Sequence, residues 1–155
     1  MNNFRIEKQV CSLDQGEMLD RLFARMDDPP LSVWVRTYNS LIDKWEIVLR
    51  SEAETSGNYY LKFYPAFTDG ELYRLLPYKS PIEDGCESSY LLVEESWEFG
   101  KLIYSARYAL VSSTQSPSVL NACAPENMIL AQVYADLLIH VIKTKEVALR
   151  ELRYN

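Results

Sequence analysis

Hydrophobic positions recur first at helical spacing. In "LDQGEMLDRLFARMDDPP", Met18, Leu19, Leu22, Phe23 and Met26 fall on one stripe of a helix. Asp14 stands as its cap with Glu17 in capping-box register, and Pro29-Pro30 ends the run. The period then changes to two. "LSVWVRTY", "KWEIVLRS" and "YYLKFYPAF" each alternate and read as three strands of a meander, joined by "NSLID" and the polar stretch "EAETSGN". "TDGELYRLLP" has Thr68 and Glu71 in capping-box register and stops at Pro77, which predicts a two-turn helix. Two further strands, "SYLLVEESWEF" and "KLIYSARYALV", join tightly through Gly100-Lys101. "SSTQSPSVLNACAP" is small and polar and reads as a loop; from Pro125, at a first helical position, to about Arg153 runs one long helix. Residues 3–11 alternate weakly, as a short edge strand would.

The pattern predicts a single α+β domain over residues 1–155. Its antiparallel sheet has about five strands in meander order, with an N-terminal amphipathic helix, a short middle helix and a long C-terminal helix packed on the sheet.

Two pentads, "WVRTY" at 34–38 and "YLKFY" at 60–64, share a pattern of aromatic ends around a basic centre. Choosing the most apolar rows for the core selects Val33/Val35/Thr37, Trp45/Ile47/Leu49 and Tyr59/Leu61/Phe63. The other face then carries Trp34, Arg36 and Tyr38, Glu46, Val48 and Arg50, and Tyr60, Lys62 and Tyr64. With Glu46 on the middle strand between Arg36 and Lys62, a cross-strand ion ladder follows. Trp34, Arg36, Tyr38, Tyr60, Lys62 and Tyr64 are also the residue types that concentrate binding energy at protein interfaces, so they are the candidate partner-binding residues. The whole assignment hangs on register, because a slip of one residue inverts a strand.

In the final helix Leu138 centres a core stripe with Ala131, Tyr134, Val141, Ile142, Leu149 and Leu152. Ile129, Val133, Leu137 and His140 lie away from the centre of that stripe and are the candidate oligomer contact. The first half of this helix is apolar nearly all round, so it is either sandwiched in the fold or covered by another chain, as in a homodimer. His140 follows Asp136 by one turn, in the spacing of an i,i+4 hydrogen bond.

Charge narrows the partner class. The net charge of −6 disfavours a nucleic-acid binder and docking on anionic lipid, and leaves another protein as the expected partner. Eleven tyrosines fit half-wet surfaces of the kind interfaces use. Cys11, Cys86 and Cys123 are an odd set without a CxxC, as expected in a reducing compartment. "MNNFRIEKQV" has no apolar core of signal-peptide length, and no apolar run reaches bilayer-spanning length, so a cytoplasmic location is expected.

Catalytic signatures are sparse. One histidine excludes His-rich zinc sites, and the chain has no GxxxxGK[ST], GxGxxG or GxSxG. No cofactor or metal is implied. Glu94 and Glu98 share a strand face as a carboxylate pair, and Cys123, just ahead of the long helix, is a candidate reactive thiol. The leading expectation is a small acidic interaction module, an adaptor, chaperone or inhibitor, that binds a macromolecule without catalysis. A hydrophobic-ligand binder of helix-grip type is the second class. An enzyme using the carboxylate pair or the thiol is the third.

Overall fold

A computed structural model describes residues 5–57, 59–77, 89–110, 118–123 and 126–144. The chain is α+β, with antiparallel sheets and a helix near its C-terminal end. The strands form two sheets of three, in orders β2-β1-β3 and β4-β5-β6, in place of one five-strand meander.

Helix α1 (Leu13–Phe23) is the expected amphipathic helix, with Gly16, Leu19 and Phe23 buried. Its cap is Ser12, and Gln15 closes the capping box in place of Asp14 and Glu17. Two candidate boxes lie two residues apart, and the chain uses the one that leaves Gln15 free to reach α4. Gln15 Nε2 donates to the Gln132 carbonyl at 2.9 Å and to Asp136 at 2.6 Å. The edge strand expected at residues 3–11 is absent among the described residues there. Ile6–Lys8 is a 3-10 turn, and Val10 makes only an isolated bridge to Thr68.

Strand β1 (Trp34–Asn39) sits at the centre of the first sheet, between β2 (Lys44–Leu49) and β3 (Tyr60–Pro65). The polar stretch after β2 is not a plain connection. It forms helix α2 (Arg50–Thr55), which carries the chain from one edge of the sheet to the other. Ala53 packs there with Val35 and Tyr60. That crossing is why β3 pairs with β1 and not with β2.

Helix α3 (Asp69–Leu75) starts at the expected Thr68–Glu71 capping box. Glu71 also accepts the Val33 N–H at 2.8 Å, tying this helix to the entrance of β1. Strands β4 (Ser89–Glu98) and β5 (Lys101–Leu110) form a hairpin of ten residues a side, turned by Phe99-Gly100. The stretch read as a loop contains β6 (Ser118–Cys123), paired with β5. Its small, polar composition hid a strand that is set by pairing to a neighbour more than by its own propensity.

Helix α4 (Leu130–Lys143) begins at Leu130, five residues after Pro125. It packs against α1, α3, β5 and β6. Eight of its fourteen residues are buried, over rather more than half of the helix circumference, and Gln132, Asp136, Ile139, His140 and Lys143 lie on the remaining side. The buried eight join Leu19, Phe23, Phe67, Leu72, Leu76, Ala106 and Tyr108 in the main core. Each fully buried Leu there contributes about 1.5–3 kcal/mol relative to exposure.

Candidate functional site

Pairing fixes which predicted site residues share a face. Trp34 stands opposite Leu49, Arg36 opposite Ile47, and Tyr38 opposite Trp45. The row Trp45/Ile47/Leu49, assigned by its apolarity to the core, therefore lies with Trp34, Arg36 and Tyr38. Glu46 is on the other face beside Thr37, where it accepts from Asn39 Nδ2 at 3.0 Å. The expected Arg36–Glu46–Lys62 ladder does not form. β2 carries Trp45, Ile47 and Leu49 on one face and Lys44, Glu46 and Val48 on the other. Its pairing with β1 across the turn at Asp43, with a positive φ of 53°, turns the apolar row away from buried Val35 and Thr37.

On the opposite edge, Arg36 pairs with Tyr64 and Thr37 with Phe63, but Asn39 pairs with Tyr60. Leu61 and Lys62 thus stand together against Tyr38, a β-bulge that inverts the side-chain order beyond it. Tyr60 turns to the α2 side, 8% exposed, against Val35 and Ala53. Of the six candidate contact residues, Trp34, Arg36, Tyr38 and Tyr64 are brought to one face. Tyr60 is removed from it, and Lys62 is exposed in the bulge.

The face gains what the sequence reading had placed in the core. Trp45 lies edge-on to Tyr38, with ring centroids 5.7 Å apart, and stacks on Tyr64 at 6.0 Å and 26°. Such pairs are worth about 0.5–1.5 kcal/mol beyond their buried area. The three rings bridge all three strands. Trp45 is nevertheless 40% exposed and Leu49 39%.

Arg36 anchors one end of this surface. It donates to the Cys11 carbonyl at 2.9 Å, while its Nε is buried without a hydrogen-bond partner among the described residues. Burial pushes its pKa down, opposed by the neighbouring Cys11 and Glu7. The same seam holds Cys11, whose buried thiol lies 3.8 Å from the Pro65 carbonyl and is pushed up to about 11 by desolvation. It also holds Gly16, where a Cβ would sit 2.3 Å from the Pro65 carbonyl oxygen. Only glycine lets α1 approach β3 this closely.

A second exposed surface was not anticipated. In the β4–β5 hairpin, Leu91, Val93 and Tyr104 pack on the main core, with Ala106 and Tyr108 buried in it. Pairing places Trp97 and Leu102 on the same row, farther out. Beyond Val93 every residue of β4 is exposed, and Trp97 is 74% exposed. The row continues past the end of the core.

The turn itself is of the two-residue kind with both residues at positive φ, Phe99 at 50° and Gly100 at 74°. A bulky residue in that region costs roughly 1–2 kcal/mol relative to glycine, and asparagine or aspartate is the usual choice. Phe99 is fully exposed and recovers none of this by packing. The sequence signal was an aromatic where a turn residue belongs, immediately before Gly100.

The other candidates separate. Glu94 and Glu98 are four residues apart on one strand, which sets their Cα atoms about 13 Å apart. Glu94 is engaged by Arg107 at 3.1 Å, and Glu98 stands opposite Lys101. Neither arrangement makes an acid/base pair. Cys123 is the last residue of β6, not the approach to a helix N-terminus, so the dipole argument for its reactivity falls. Among the described residues no group of His, Cys, Asp and Glu is placed to hold a metal ion. No helix among them is long and apolar enough to cross a membrane.

The oligomer face resolves inward. Val133 and Leu137 are fully buried within the single chain, while Ile129 packs at the edge of that core and His140 is half-buried. The flank of the helix that carries Val133 and Leu137 is covered by its own chain. Tyr108 of β5 is buried in the core that α4 shares, and its hydroxyl donates to the Pro77 carbonyl at 2.7 Å. An open cleft of about 570 Å³ lies elsewhere, between α2 and β3, lined by Arg50, Ala53, Tyr60 and Phe63 among others. No protein-family model matches the chain, and no curated protein or solved structure does.

Proposed function

We propose that the chain is a protein-binding module whose contact surface is the sheet face of Trp34, Tyr38, Trp45, Leu49 and Tyr64. One observation carries this reading. The Tyr38–Trp45–Tyr64 cluster is ordered by its own ring contacts across three strands yet leaves Trp45 40% exposed. A rigid, half-exposed aromatic surface beside an arginine has the composition at which protein interfaces concentrate their energy. It costs little conformational entropy on binding, because the rings are already held.

The displacement of Glu46 to the opposite face removes one reason to disfavour nucleic acid, but the net charge of −6 remains. Phosphate neutralisation needs a basic surplus that this chain lacks. A protein partner is the better fit, and we expect it to meet the chain in the cytoplasm.

The test is affinity capture from the cells that make the chain, comparing the parent with Trp45→Ser/Leu49→Ser. Both positions are exposed, so the variant should keep its fold by circular dichroism and melt cooperatively, at a temperature lowered by the lost ring contacts. Loss of a partner from this variant, with retention by Trp97→Ser, is the expected result. Retention of every partner by Trp45→Ser/Leu49→Ser would sink the reading.

A further inference from the structure

The β4–β5 hairpin has an inner half that belongs to the core and an end, from Trp97 to Phe99, that is exposed among the described residues. Among the described residues β6 pairs with β5 over Arg107–Leu110, and the outer half is a two-stranded ribbon apart from one bridge between Tyr104 and Asn127. Isolated ribbons of this kind are marginal in water. This one also carries its two largest apolar side chains, Trp97 and Phe99, where they gain least from the fold. Phe99 holds a left-handed backbone position that glycine would occupy more easily. Two costs borne at one tip point outward.

We infer that the tip of this hairpin, Trp97 with Phe99, is a docking arm that inserts into an apolar pocket with a basic rim on a partner protein. Charge chooses the partner. Glu95 stands on the face of Trp97 and Glu98 beside it opposite Lys101, with Glu94 farther in and held by Arg107, and the chain as a whole is at −6. An anionic lipid surface would repel such a tip. A second copy of the chain is disfavoured by the same carboxylates, since pairing two β4 edges would set glutamates against glutamates. A pocket edged by Lys or Arg side chains satisfies both the rings and the acids.

The inference does not rest on the sheet face. Trp45→Ser/Leu49→Ser leaves the arm intact, so the two readings fail separately.

The experiment places the photo-crosslinker p-benzoylphenylalanine at position 99 of the full chain, irradiates it in an extract of the cells that make it, and identifies the adduct. The adducted protein is then purified and titrated against the unlabelled chain. We expect Trp97→Ala and Phe99→Gly each to weaken binding at least tenfold. Glu95→Lys/Glu98→Lys should do the same, and added salt should weaken the parent complex. Phe99→Gly doubles as a folding control, because it should melt at or above the parent temperature. Equal affinity of the parent and the tip variants overturns the inference, as does indifference to charge reversal. An adduct to a second copy, or no protein adduct above a crosslinker placed at position 44, overturns it too. Binding to phosphatidylcholine vesicles that is lost in Trp97→Ala would replace the protein partner with a membrane.

Discussion

The two sheets treat their aromatic residues in opposite ways. In β2-β1-β3, Trp45 is held between Tyr38 and Tyr64, and the sheet is fastened to α1 through the seam at Pro65. In the β4–β5 arm, Trp97 and Phe99 stand largely or wholly in solvent, on a ribbon whose outer half carries little else. The first arrangement converts aromatic area into stability and leaves a remainder for binding. The second contributes nearly nothing to stability, so its residues are free to be chosen for something outside the chain.

The seam gives the most damaging way to break this contrast. Gly16→Ala, which in an exposed helix would stabilise by up to about 1 kcal/mol, here drives a methyl group into the Pro65 carbonyl. We expect a loss of about 3 kcal/mol in urea unfolding, and a stability equal to or above the parent would refute the close approach.

Next in size is a pH effect from Cys11. Its thiol is pushed up to about 11 when folded, against 9.0 when exposed, so the folded state keeps a proton that the unfolded state releases. Stability is complete below pH 9 and is lost as pH rises through 11, by roughly 2–3 kcal/mol at the limit. Cys11→Ala should be less stable than the parent at pH 7 and should lack this share of the alkaline loss. Tyr134, raised to about 12, adds a decline at higher pH that both proteins share. Parallel pH profiles for the two proteins would contradict the buried thiol.

A matched pair then tests the contrast itself. Trp45→Ala should cost about 1–2 kcal/mol through its lost ring contacts, whereas Trp97→Ala should stay within about 0.5 kcal/mol of the parent. The smallest effect has the opposite sign. Phe99→Gly should gain up to about 1 kcal/mol by relieving the positive φ. A destabilised Phe99→Gly would mean that the ring packs on something in the free chain.

Much of the fold was legible from periodicity. The amphipathic α1, the Thr68–Glu71 box and the β4–β5 pair follow from local pattern and turn chemistry, which act over a few residues. What failed was decided at longer range. The order β2-β1-β3 depends on α2 crossing the sheet, and "EAETSGN" alone does not disclose that a six-residue helix will pack there. An apolar row ordinarily belongs in the core, which is why the sequence puts Trp45 there; its pairing with β1 instead sets Trp45 beside Tyr38, on the face away from buried Val35 and Thr37. Tyr60 left the site because of one bulged residue, which no alternation pattern records. Val133 and Leu137 were ambiguous for a different reason. An all-round apolar helix reads the same whether its second cover is the chain itself or a partner, and only the packing of α1, α3 and β5 distinguishes them.

The union of α1 with α4 also sets a timetable for synthesis. Gln15 on the first helix reaches Asp136 on the last, and Leu19 and Phe23 find their cover in a core that includes α4. At roughly 5–20 residues per second, α1 leaves the ribosome several seconds or more before Leu130 is added. During that interval the stripe of Leu19, Leu22 and Phe23 lacks the part of its cover that α4 supplies. A nascent chain halted before residue 130 should therefore bind holdase chaperones and yield to protease, and one extended through Lys143 and released should do neither.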